Sequence, residues 1–152
     1  MIQRVQSIWL FLASVTLLLL LLLPVVSNQN SSSEFWIKVT GLYQQSNGEA
    51  VKVETFTPLF VSVIITAVIC FAAIFSYRNR KAQKRIISAI FVLIAGLSFW
   101  IFSYARKLPG GIEEATYGAG AFLPLLAILF CALAIRGIRK DEQLLRSADR
   151  LR

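Results

Sequence analysis

Three stretches of nineteen residues, 8–26, 59–77 and 86–104, contain no charged side chain, and a fourth, 117–138, is interrupted only by Arg136 near its end. At about 1.5 Å of rise per residue, a helix of that length matches the ~30 Å hydrocarbon core of a bilayer. Hydrophobic residues make up 57% of the chain, charged residues 16%, and the mean hydropathy is +0.67. An ordinary small soluble domain is far less apolar. The expected fold class is an all-α membrane protein, a single integral domain over 1–152 forming an antiparallel four-transmembrane-helix bundle.

The connection between the second and third runs sets the direction of the rest. Residues 78–85 carry five cations, Arg78, Arg80, Lys81, Lys84 and Arg85. Short cationic connections are retained on the cytoplasmic side, and spans joined by so short a turn are antiparallel neighbours. With this turn inside, Arg4 and the six cations from Arg136 onward fall on the same side, twelve in all, against Lys38, Lys52, Arg106 and Lys107 outside. Both termini are then expected in the cytoplasm. A net charge of +8 would suggest nucleic acid in a soluble protein. Here the cations flank apolar runs, so anionic lipid headgroups are the nearer partner and nucleic acid is not expected.

The first run, 8–26, is read as a retained span. A secretory signal peptide, with Val25-Val26-Ser27 as its cleavage region, is the rival, but its apolar stretch is usually shorter. Pro24 is expected to end or kink this helix near the interface. Residues 27–57 are the one sizeable hydrophilic segment and open on a run of Asn, Gln and Ser read as flexible. Two alternating stretches, 35–40 and 50–56, then bracket Asn47-Gly48, which predicts a small periplasmic β-hairpin pairing one with the other. Phe35, Trp36 and Tyr43 are its candidate contact residues, at helix ends, at headgroups or on a partner.

Pro58 suits the first turn of the second span (59–77), and the third (86–104) follows the basic turn directly. The outer loop 105–116 is expected to turn at Pro109-Gly110-Gly111. In the fourth span, 117–138, Ala127, Cys131 and Ala134 recur at helical spacing, and small residues on one face mark the seam where helices approach closely in lipid.

The tail, 139–152, places Ile138, Leu144, Leu145, Ala148 and Leu151 on one helical stripe and predicts an amphipathic cytoplasmic helix. Its charged residues Arg139, Lys140, Asp141, Glu142, Arg146, Asp149 and Arg150 are the candidate partner-binding set. Asp141 and Glu142 lie within reach of the basic turn, where an internal ionic contact would form.

No catalytic, cofactor or metal site is expected. The chain has no histidine, and Cys70 and Cys131 both lie inside apolar runs, which supports neither a disulfide framework nor a zinc site. Adjacent carboxylates occur only at Glu113-Glu114 and Asp141-Glu142, and neighbours on a helix do not face each other as an acid/base pair must.

The start Met1-Ile2-Gln3-Arg4-Val5-Gln6-Ser7 before an apolar helix, and the close Ile138-Arg139-Lys140-Asp141-Glu142 with Arg146-Ser147-Ala148-Asp149-Arg150-Leu151-Arg152, resemble domain-of-unknown-function family 4293. That resemblance implies a small four-span protein of the bacterial inner membrane without an assigned activity. The outer segment, with Trp36, Gly41-Leu42-Tyr43, a turn at Ser46-Asn47-Gly48 and Val51-Lys52-Val53, is similar in layout to the first extracellular segment of claudins. The claudin cysteine pair is absent.

Two functions are weighed. The first is a non-enzymatic accessory subunit or assembly factor binding a larger membrane complex through the cytoplasmic face and tail. The second is a small oligomeric transporter or pore, which usually needs charged groups at mid-membrane. The deepest polar groups here, Ser14, Thr16, Ser62, Thr66, Ser88 and Ser98, are expected to bond their own helix backbone. A homo-oligomer is left open but not indicated.

Overall fold

A computed structural model describes residues 3–30, 33–46, 49–106 and 115–149. Four helices pack into a bundle with a small antiparallel sheet over one end: α1 (Gln3–Leu19), α2 (Thr57–Phe75), α3 (Arg80–Ala105) and α4 (Leu123–Asp149). The strands are β1 (Val26–Asn30), β2 (Ser33–Lys38), β3 (Gly41–Ser46), β4 (Glu49–Thr55) and β5 (Thr116–Tyr117). Helix α1 packs between α2 and α4, and α3 touches the same two.

Three helical stretches, Thr57–Phe75, Arg80–Ala105 and Ala119–Leu144, are long and apolar enough to cross a membrane. The apolar part of α1, Val5–Leu19, is shorter. Here the chain departs from the expected nineteen-residue span. After Leu19 the backbone tightens, with Leu21 N–H donating to Leu18 O at 3.1 Å and Leu22 N–H to Leu19 O at 3.0 Å. Pro24 has no N–H to continue the helix, and it biases Leu23 toward extended geometry. Val25 N–H then donates to Ile37 O at 2.8 Å, and Val26 opens β1. The last third of the run therefore builds turn and sheet rather than helix.

The predicted hairpin is also corrected. Both alternating stretches are strands, but they do not pair with each other. The sheet order is β4-β3-β2-β1-β5, so β3 separates β2 from β4, and the polar run after Val26, expected to be flexible, is β1. The β3–β4 hairpin does bracket Asn47 and Gly48, which lie outside the described residues. What redirects the chain is Gly41, whose φ of +155° is one that side-chain-bearing residues rarely adopt and whose missing Cβ would collide with Glu54 O. Gly41→Ala is accordingly expected to destabilise the fold by about 2 kcal/mol or more, read as a lowered unfolding midpoint in micelles. An unchanged midpoint would show that the β2–β3 turn does not depend on glycine.

The cations of the basic connection mostly stand on a helix rather than in a loop. A single 3₁₀ turn, Ser76–Arg78, follows α2, and α3 begins at Arg80 after Asn79, whose side chain accepts from Ala82 N–H at 3.1 Å. Likewise the tail is no separate helix, because α4 continues unbroken through residue 138 to Asp149. At its other end Tyr117 is in β5, and a 3₁₀ turn, Ala119–Phe122, precedes the helix. The turn at Pro109-Gly110-Gly111 lies outside the described residues.

Two apolar cores stack along the bundle. Toward the sheet, Phe56, Leu59, Val63 and Ile101 pack beneath Ile37, Val39 and Leu42. Toward the other end, Ile87, Ile90 and Ile94 of α3 fill the space left by Ala13, Ala67, Cys70, Ala73, Ala127, Cys131 and Ala134. The small-residue seam expected on α4 is thus fully buried. Most deep hydroxyls bond their own helix, as Thr66 does to Ser62 O at 2.7 Å and Ser98 to Ile94 O at 2.9 Å. Ser14 instead donates across to Ala67 O of α2 at 3.1 Å.

Candidate functional site

The most chemically differentiated region is the end of the bundle opposite the sheet, where α1 and α3 begin and α4 leaves the core. The buried stripes of α1, α3 and α4 each extend there by one polar step. On α3 the stripe Ile101, Leu97, Ile94, Ile90, Ile87 ends on Gln83, which is 2% exposed. The α1 stripe Leu17, Ala13, Leu10 ends on Gln6, 7% exposed, and the α4 stripe Ala127, Cys131, Ala134, Ile138 ends on Asp141, 5% exposed. Helical spacing of three and four places each of them below the last apolar layer.

Buried polar groups need partners. Gln83 Nε2 donates to Ala73 O, 3.1 Å away near the end of α2, and ties α3 to its neighbour. Gln6 Nε2 donates to Asp141 Oδ2, joining the two ends of the chain. Gly137 makes room for this approach, since a Cβ there would stand 3.1 Å from Gln6 Cγ. A carboxylate accepting from an amide is a charge-assisted bond, stronger than one between neutral groups. Asp141 Oδ1 and Arg80 Nη1 are both buried without a hydrogen-bond partner among the described residues.

One residue further on, Glu142 Oε2 lies 2.8 Å from Lys84 Nζ, the internal ionic contact expected between tail and basic turn. Both side chains are about a third exposed or less. Such a pair stabilises weakly, by roughly 0–1 kcal/mol, so its consequence is orientation more than stability. It consumes the second carboxylate of the α4 end, while Arg136, Arg139 and Lys140 remain exposed.

The other predicted residues separate into groups. Lys81 and Arg85 are exposed on the first turns of α3. The side chains of Arg78, Arg146 and Asp149, and all of Arg150, lie outside the described residues. On the sheet, alternation puts Phe35 on one face and Trp36 on the other. Phe35 packs on the sheet-end core. Trp36 stacks on its cross-strand partner Tyr43 with ring centroids 6.0 Å apart, and Lys38 and Lys52 each lie 5.8 Å from the Tyr43 centroid. The three aromatics therefore do not form one contact surface.

This arrangement runs through both ends of the chain, and so does the sequence match. The chain belongs to the family described as Domain of unknown function (DUF4293). The match covers residues 2–151, hence Gln6, Gln83, Lys84, Asp141 and Glu142 together. No curated protein matches the chain.

The sequence singles out Asp141 and Glu142 and predicts an internal ionic contact between them and the basic turn, which Glu142 makes, but it does not single out Gln6 and Gln83. The signal was present in the spacing: each polar residue falls three or four positions beyond the last apolar residue of a buried stripe. Among the described residues no group of three or more His, Cys, Asp or Glu is placed to hold a metal ion.

Proposed function

We propose that this protein is a non-enzymatic component of the bacterial inner membrane, with its basic end in the cytoplasm, that serves a larger membrane complex as a small accessory subunit or assembly factor. One observation supports it above the others: the carboxylates of Asp141 and Glu142 are engaged by Gln6 and Lys84, while Arg136, Arg139 and Lys140 beside them are exposed. With Asp141 and Glu142 engaged in this way, the helix presents a cationic stripe outward, continued by Gln143 and by Leu144, which is 47% exposed. The complementary partner is an acidic cytoplasmic segment of another membrane protein, with anionic headgroups as the surrounding medium.

The charge pattern supports the orientation, since cations retained on one side set the direction of insertion. Photocrosslinking from position 143 in intact cells tests the docking. The double substitution Arg139→Glu with Lys140→Glu is expected to reduce crosslinked partner by about tenfold or more, because charge reversal at a complementary surface is strongly unfavourable. The unfolding midpoint should barely move, as both residues are exposed. Equal crosslinking by the two proteins, or none by either, would remove the basis for this reading.

A further inference from the structure

At the opposite end, α3 and α4 diverge and leave a half-open groove of about 450 Å³. Ala95 and Phe102 form one wall, Leu125 and Ile128 the other, and Val26 of β1 with Tyr117 of β5 roof it. The lining is almost wholly apolar. Its Ser98 hydroxyl is already committed to Ile94 O at 2.9 Å. From Ala105 at the top to Ala95 below, the lined part of α3 is about 15 Å deep. Water has few polar partners in such a space, so an apolar occupant is favoured over water.

The rim narrows the choice. Arg106, the residue after α3, holds its guanidinium carbon 4.8 Å from the centroid of the Phe102 ring. The aromatic contact places the cation over Phe102, a groove-lining residue, and among the described residues no ion-pair partner takes up its N–H edge, which suits a bidentate oxyanion. Strand residues Val26 and Tyr117 line the sheet-side end of the groove, which suits a flexible chain better than a straight helix.

We infer that this groove binds one acyl chain of an anionic phospholipid from the leaflet on the sheet side, with the phosphate of its headgroup at Arg106. The inference needs only a membrane setting and does not depend on partner docking at the basic end.

The intact protein in phosphatidylcholine nanodiscs, doped with phosphatidylglycerol carrying a photoreactive diazirine on its acyl chain, provides the test. After irradiation, peptide mapping should place adducts on the facing walls of α3 and α4. Yield there should be about fivefold above that from a phosphatidylcholine probe with the same chain, as expected of one cation beside an anionic headgroup. Arg106→Glu should abolish that preference while leaving groove labelling by the neutral probe. Ala95→Trp should fill the groove and remove adducts from both walls.

Adducts spread evenly over the lipid-facing helices would overturn the site, and equal labelling by the two probes, or a preference indifferent to Arg106→Glu, would overturn the anionic assignment. A photoreactive residue at position 95 that crosslinks to a second copy in place of lipid would make the groove a subunit interface instead. Unfolding midpoints of both variants in the same nanodiscs separate loss of binding from loss of fold.

Discussion

Gln6→Leu is expected to destabilise the protein by about 3 kcal/mol, because it leaves the buried Asp141 carboxylate without its donor while the groups around it stay folded. Asp141 is 5% exposed and its other oxygen has no hydrogen-bond partner among the described residues, so the Gln6 amide is the one described donor that satisfies the buried group. The informative comparison is the pair Gln6→Leu with Asp141→Leu. Removing both polar groups leaves an apolar contact of similar shape, which is often neutral or stabilising relative to the parent. The double variant should therefore recover most of what the first substitution loses, a coupling of about 2 kcal/mol or more. Unfolding in micelles, followed by the fluorescence of Trp9, which stacks on Phe130 across the α1–α4 interface at 5.9 Å, measures it. Additive losses in the double variant would mean that the two residues act separately.

Gly120→Ala should have an effect of similar size at the other end of the bundle. Gly120 N–H donates to Pro24 O at 3.0 Å and Gly118 N–H to Val25 O at 2.9 Å, which joins the entrance of α4 to the end of α1. A Cβ on Gly120 would stand 2.6 Å from Pro24 O and 3.0 Å from Leu23 O, all backbone that cannot rotate aside. The segments must separate and lose at least one buried hydrogen bond, a cost of about 2–4 kcal/mol. Gly96→Ala is the matched control. Nothing lies within 4 Å of its added Cβ, and alanine is the better helix former, so it should be neutral or stabilising. Equal behaviour of the two variants would rule out close backbone approach as the reason for glycine at 120.

These two sites show where sequence reading reaches its limit. The seam of α4 is legible because burial on a helix repeats every three to four residues, and the fully buried Ala127, Cys131 and Ala134 follow that rule. The concentration of cations at one end was legible because charge needs no fold to be counted. What could not be read was competition for a single segment. The leucines before Pro24 suit a helix, yet the carbonyls of Pro24 and Val25 are drawn to Gly118 and Gly120, some ninety residues away. In the same way the strand at 50–56 could be recognised, but not its partner, because Gly41 redirects the chain and inserts β3 between the two strands expected to pair. Gln6 and Gln83 were overlooked for a simpler reason: glutamine beside an apolar run is usually interfacial, and only the partners at Asp141 and Ala73 make these two interior.

If the bundle stands in a bilayer as proposed, the early end of α1 has a mechanical consequence for the surrounding lipid. The apolar helical part of α1, Val5–Leu19, measures about 23 Å, against about 29 Å for the uncharged residues 86–104 of α3. The hydrocarbon-matching wall is therefore lower on one flank of the molecule than on the other. A bilayer of uniform thickness must thin beside α1, or the whole body must lean until the two flanks agree, at a fraction of a kcal/mol per ångström of disagreement. Either adjustment gives a molecule this small a preferred rotational setting in the membrane plane, and a second protein that deforms the bilayer in the opposite sense would be drawn to the α1 flank before any side chains meet.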